Sequence, residues 1–154
     1  MMIKEGDKIP DVELVAPDGS PVKISDYSGK KLVLFFYPKA STPGCTTESK
    51  DFSALLPEFQ QAGAAVLGMS ADSPKRQQNF INKQELTVDI ASDESTEFLE
   101  KIGVWAEKKM YGKTYMGIIR STFLIGPDGT VLKAWPKVKV KGHAEEVLAA
   151  VQAA

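Results

Sequence analysis

Cys45 is the only cysteine of the chain. It lies in Phe35-Phe36-Tyr37-Pro38-Lys39-Ala40-Ser41-Thr42-Pro43-Gly44-Cys45-Thr46, where an apolar run stops, a turn follows and a helix is predicted to begin. The N–H groups of a helix's first turn have no partner inside the helix and favour negative charge, so a sulfur placed there is favoured as its nucleophilic thiolate. With Thr42 as N-cap and Pro43 as the first helical residue, Cys45 is the third, close to those donors. A lone cysteine is ordinarily a small buried hydrophobe. The Thr and Pro-Gly before Cys45 and the helix signals after it weigh against that reading. One cysteine cannot close an internal disulfide, and one cysteine with one histidine, His143, cannot build a Cys/His zinc site. Any thiol chemistry therefore needs an outside partner.

The elements that must position this residue follow from hydrophobic spacing. Apolar runs at Leu32 to Phe36, Ala65 to Met69 and Thr122 to Ile125 are predicted to be buried strands. After Cys45, Phe52, Leu55, Leu56 and Phe59 form one stripe of a helix from about Pro43 to Gln61, with a kink expected at Pro57. Ser73-Pro74 opens a second helix to about Lys83, and a third spans about Ser95 to Ile102, ending at Gly103. Pro127-Asp128-Gly129 joins Phe123 to Ile125 with Val131 to Trp135 as a hairpin. Val147, Leu148 and Val151 mark a closing helix from about Gly142, and a further hairpin is expected at Val12 to Val15 and Val22 to Ile24. The alternation implies an α/β fold whose mixed sheet is covered on both faces and carries an antiparallel edge.

At 154 residues and 43% hydrophobic content, one compact domain over residues 1–154 is expected. The formal net charge of −1 gives no overall attraction for nucleic acid or an anionic membrane. Residues 85–100 carry acids and no Lys or Arg, whereas residues 107–141 carry eight bases against Glu107 and Asp128. Such runs are usually solvated faces, although the second biases the local field towards anions. The segment Met1 to Asp7 lacks an apolar targeting core and no stretch is long enough for a membrane span, so a cytoplasmic location is expected.

Pro38-x-x-x-Thr42-x-x-Cys45 matches the active-site motif of the peroxiredoxins, and Tyr37-Pro38-Lys39 with Thr42-Pro43-Gly44-Cys45-Thr46 resembles their bacterioferritin comigratory protein (PrxQ) branch. Gly103-Val104-Trp105, Tyr111-Gly112-Lys113, Gly117-Ile118-x-Arg120-Ser121-Thr122-Phe123-Leu124-Ile125 and Lys141-Gly142-His143-Ala144 are similar to later blocks of that branch, in the same order. The resemblance implies a thioredoxin fold with an N-terminal hairpin, no cofactor, a likeness to monomeric relatives, and reduction of hydrogen peroxide and organic hydroperoxides by a thiol. Many relatives carry a second, resolving cysteine, either five residues after the first, where Lys50 stands here, or in the helix over about 74–83, which has none. An external thiol (thioredoxin, glutaredoxin or glutathione) is then the implied reductant.

The resemblance carries Arg120 over as the catalytic arginine, at a strand start from which a planar cation can reach both sulfur and peroxide. The Thr42 hydroxyl can donate and accept, and so align the peroxide, while amides near Gly44 and Cys45 can meet charge growing on the leaving oxygen. Pro38 removes one backbone donor and walls the pocket, and Glu48, one turn after Cys45, is placed to pair with Arg120. His143 is expected to be solvated and uninvolved; Trp105, Tyr111 and Tyr115 are open to lining a pocket or to packing as a lid over the fold, with packing favoured. Two other functions are open to the residues: a disulfide oxidoreductase, weakened because Thr42 stands where a second sulfur is required, and a non-enzymatic binding or holdase module.

Overall fold

In a computed structural model of the chain, residues 2–154 are described, apart from the side chain of Met110. The central strand β3 (Lys31–Phe36) is apolar at nearly every position, which suits a strand covered on both faces. Its period of two sends Val33 and Phe35 to one face and Leu32, Leu34 and Phe36 to the other, all buried. β3 pairs in parallel with β4 (Ala64–Ser70), and β4 in parallel with β5 (Asp89–Ser92). On its other side, β8 (Ser121–Ile125) runs antiparallel to β3 and to the edge strand β9 (Val131–Trp135). The N-terminal hairpin β1 (Glu13–Val15) and β2 (Pro21–Lys23) attaches to β5, so the sheet order is β2-β1-β5-β4-β3-β8-β9. Ile24, expected in β2, instead begins a single 3-10 turn over Ile24–Tyr27.

α1 (Pro43–Gln61), α2 (Pro74–Gln84) and α4 (His143–Ala153) place Phe52, Phe59, Phe80, Val147 and Val151 against one face of the sheet. α3 (Glu97–Ile102) covers the other with Phe98, Leu99 and Ile102, and Gly103 ends it in the left-handed conformation that its missing Cβ permits. Pro57 sits inside α1 and the helix continues to Gln61. The carbonyl of Ser53, which a residue lacking N–H at position 57 cannot serve, accepts instead from the Thr87 hydroxyl at 3.2 Å. The expected strands and helices are all present.

One element was not expected. β6 (Trp105–Met110) and β7 (Lys113–Ile118) form a separate two-stranded sheet turning at Tyr111-Gly112, where φ is +51° and +75°. It leads directly into Arg120. Tyr111 and Tyr115 are exposed on it rather than packed; of the three aromatic residues Trp105 alone rests against the core, beside the buried Ile118 of β7.

Gly68 in β4 is fixed by sterics. A Cβ there would meet the Phe35 ring at 2.5 Å and Ile90 Cδ1 at 2.9 Å, so the aromatic layer over the sheet requires its absence. Gly68→Ala is expected to lower unfolding stability by about 1–3 kcal/mol, read by urea titration with an unchanged m-value. A loss below about 0.5 kcal/mol would show that Phe35 is free to move aside.

Candidate active site

α1 starts as its sequence dictates: Thr42 has extended backbone at the N-cap, Pro43 is the first helical residue and Cys45 the third. The N–H groups of Gly44 and Cys45 therefore have no intrahelical acceptor. The Thr42 side chain does not cap the helix. Its hydroxyl donates to the Lys39 carbonyl at 2.7 Å, folding the preceding turn back on itself. Cys45 is fully buried, at 0% exposure, yet its surroundings are not purely apolar.

Arg120 enters from the opposite side of the sheet's end. It occupies the two-residue connection between β7 and β8, and its carbonyl accepts from Val138 N–H at 2.9 Å, which pins the backbone. One guanidinium nitrogen, Nη2, donates to Cys45 Sγ at 3.2 Å. The other, Nη1, donates to Glu48 Oε1 at 2.6 Å in an ion pair. Cys45 and Glu48 are three apart on α1 and so share a face, which lets one planar cation bridge both. A Cβ on Gly44 would lie 3.1 Å from Arg120 Nη2, so the small residue leaves the guanidinium its path to the sulfur.

The electrostatics follow from burial. Glu48 is 1% exposed, and its Oε2 has no hydrogen-bond partner among the described residues. Burial pushes the Glu48 carboxyl up to about 7, with Arg120 only partly offsetting the cost of charging it. For Arg120, burial works against the charge, but Glu48 and Cys45 outweigh it and hold the pKa above its ordinary value. A guanidinium so held stabilises negative charge on the sulfur it touches.

Pro38 is half-buried and lines a cleft of about 570 Å³ with Lys39, Arg76, Trp105, Lys108 and Tyr115. The structure thus brings Cys45, Glu48, Arg120 and Gly44 into contact, and sets Thr42 and Pro38 on the turn before the helix without a hydrogen bond between Thr42 and the sulfur. Lys108 was not foreseen. Its ammonium donates to the Ile118 carbonyl at 2.7 Å; burial lowers its pKa, Arg120 lowers it further, and Cys45 opposes both. Its only sequence signal is position in a basic hairpin whose strands were not recognised.

His143 corrects an expectation. It is buried, at 5% exposure, with Nε2 2.8 Å from the Thr122 hydroxyl and its ring edge-on to Phe52 and Trp135. Burial lowers its pKa and Arg120 lowers it further, against the pull of Glu146. It starts α4 at a left-handed Gly142, which turns the imidazole inward.

The sequence pattern of the AhpC/TSA family matches residues 5–134. The chain is 50% identical over 143 residues to peroxiredoxin Bcp of Xanthomonas campestris, covering 93% of this chain and 89% of that protein. It is 47% identical over 148 residues to peroxiredoxin Bcp of Bacillus subtilis, covering 96% and 94%. Among solved structures, the bacterioferritin comigratory protein of Xanthomonas campestris superposes with a TM-score of 0.89 at 46% identity, over 99% of this chain and 97% of that one. A cysteine-to-serine mutant of Xylella fastidiosa PrxQ gives 0.94 at 42% identity, over 99% and 98%. The fold is that of thioredoxin, and fold and site together define a thiol-dependent peroxidase. The chain belongs to the AhpC/TSA family, as a peroxiredoxin of the Bcp (PrxQ) kind.

Glu48 generates a pH dependence. Its folded pKa of about 7 exceeds its ordinary 4.5, so between those values the folded state holds a proton that the unfolded state has lost. This group's contribution to stability is present at about pH 4.5 and is lost as pH rises through about 7. Glu48→Gln is expected to flatten the decline in unfolding free energy over that window. Parallel pH curves for parent and variant would contradict it.

Proposed function

We propose that Cys45 is the peroxidatic residue and that Arg120, Thr42, Gly44, Pro38 and Glu48 serve it in separate roles. The observation that carries this reading is the guanidinium of Arg120, hydrogen-bonded to Cys45 Sγ at 3.2 Å while ion-paired with Glu48. The thiolate attacks the terminal oxygen of a hydroperoxide in line with the O–O bond. That bond breaks, the distal oxygen stays on sulfur as the sulfenic acid, and the alcohol or water leaves after gaining a proton. Arg120 and the Gly44 and Cys45 amides meet the charge that grows on the departing oxygen. Thr42 orients the peroxide from the turn, Pro38 shields it from water, and Glu48 fixes the plane of Arg120.

Both hydrogen peroxide and organic hydroperoxides are taken as substrates. The solved Xanthomonas relative is described by its alkyl peroxide reduction activity, which supports the organic class. With no second cysteine, the sulfenic acid is resolved by an external thiol: a mixed disulfide forms with loss of water, and a second thiol releases Cys45. Thioredoxin, glutaredoxin and glutathione are the candidate donors, and their need for a reducing compartment agrees with a cytoplasmic location. The reading treats residues 1–154 as one domain, since one sheet runs from β2 to β9, and as a monomer on the strength of the likeness to the PrxQ branch. Helix geometry bears on the missing cysteine. At about 100° per residue, positions 45 and 50 of α1 point about 140° apart, so a disulfide between them would require the start of the helix to unwind. With Lys50 there, recycling by an external donor needs no such unwinding.

Mass spectrometry after one equivalent of peroxide is expected to show one oxygen on Cys45, converted by glutathione to a mixed disulfide. Cys45→Ser is expected to consume no peroxide, and excess peroxide without donor to give the sulfinic acid. An unmodified thiol after the first equivalent would favour the binding-module reading. Lys50→Cys is expected to speed recycling by a dithiol donor; no gain would show that α1 does not open.

A further inference from the structure

The turn that carries Pro38 and Thr42 is held from beneath by buried polar groups that the chemistry above does not use. Asp72, just after β4, is 9% exposed, and its Oδ2 accepts from Ala40 N–H at 2.7 Å and from the Ser70 hydroxyl at 2.6 Å. Ser70 Oγ accepts from Gln77 Nε2 at 2.8 Å, and Gln77 Oε1 accepts from the Tyr37 hydroxyl at 2.6 Å. Gln77, fully buried in α2, also donates to the Ala91 carbonyl at 3.1 Å. The set ties α2 and the ends of β3, β4 and β5 to one backbone amide midway between Pro38 and Thr42.

That amide precedes a strained residue. Ser41 has φ +65°, a left-handed conformation that a non-glycine residue keeps only when its surroundings impose it. The Lys39 carbonyl that takes the Thr42 hydroxyl and the Ala40 N–H that meets Asp72 belong to one peptide unit, so the carboxylate and the hydroxyl hold that unit from opposite sides. A buried carboxylate is costly, and a charged acceptor grips an N–H more firmly than a neutral one. The other carboxylate oxygen of Asp72 lies 3.7 Å from Nη1 of the exposed Arg76, an ion pair on the solvent side of the turn.

We propose that Asp72, braced by Ser70 and Gln77, is a positioning residue for the peroxide reaction. It fixes the peptide between Lys39 and Ala40 so that Thr42 and Pro38 meet the peroxide in register with Cys45. The inference rests on Cys45 being the residue that reacts with peroxide, as set out above, and the parent protein tests that premise separately: if peroxide does not oxidise Cys45, that reading fails before any variant is compared.

The test compares two reactions of the same sulfur. Oxidation by hydrogen peroxide needs the aligned turn, whereas alkylation by iodoacetamide needs only an accessible thiolate. Asp72→Ala is expected to lower the rate constant of oxidation about 10- to 100-fold while alkylation changes by less than about threefold. Asp72→Asn, which keeps an acceptor for Ala40 N–H, is expected to restore most of the loss. If Asp72→Ala does not fold, Ser70→Ala, which removes only the brace, is read by the same pair of rates with a smaller selective loss. Equal losses in both reactions, or none in oxidation, would overturn the proposal, because a part that only stabilises the fold has no means of separating them.

Discussion

One guanidinium shared between a sulfur and a buried carboxylate is the interaction on which the rest of the site depends. Arg120 alone beside Cys45 would be a long, flexible cation with several rotamers to lose. Glu48 removes that freedom by taking one nitrogen of the planar fork, which leaves the other aimed at Sγ. The arrangement has an energetic cost in the carboxylate, whose second oxygen lacks a partner among the described residues and whose pKa burial raises to about 7. Near neutral pH the orienting group is thus close to its own titration, while the arginine remains charged.

The fold supplies the two approaches this contact needs. α1 follows β3 after a short turn, so its first turn and the sulfur sit at the carboxyl end of that central strand, with the Gly44 and Cys45 amides lacking acceptors inside the helix. β7 and β8 run in from the other side and place Arg120 in their two-residue junction, where Val138 holds its carbonyl. Between them Gly44 clears a path that a Cβ would obstruct at 3.1 Å. Rigidity behind the site comes from the aromatic layer of Phe35, Phe52 and Phe59, where Phe35 and Phe52 stack at 4.6 Å and Phe59 packs on Phe52 at 5.8 Å.

Much of this was legible in the sequence because it rests on local rules. Thr-Pro-Gly-Cys announces a helix start with cysteine in its first turn, the spacing of Cys45 and Glu48 sets both on one face, and the uninterrupted apolar run of β3 requires a sheet covered twice. What escaped depends on tertiary placement. The β6–β7 hairpin reads as a charge run because Lys109, Lys113 and Tyr111 are exposed on a sheet with little core, and its turn is Tyr111-Gly112 rather than a more common Asn-Gly pair. His143 reads as solvated beside Glu145-Glu146, yet the left-handed Gly142 turns it towards Phe52 and Thr122, which no local pattern reveals. Thr42 was legible as a cap by type, but its side chain turns to donate to the Lys39 carbonyl and accepts from no N–H of the helix start. The contact between Asp72 and Ala40 joins residues 32 positions apart and has no periodicity to betray it.

The most direct measurement of the central interaction is the rate constant of Cys45 oxidation by hydrogen peroxide in Arg120→Lys, followed by stopped flow against the parent. Lysine keeps the positive charge but not the planar fork that serves Glu48 and sulfur together. A loss of about 100-fold or more in the rate constant is the expected result, of the size seen when one aligned charge-stabilising donor is removed. A lysine variant that reacts within about threefold of the parent would show that charge alone suffices, and would contradict the shared guanidinium as the basis of the site.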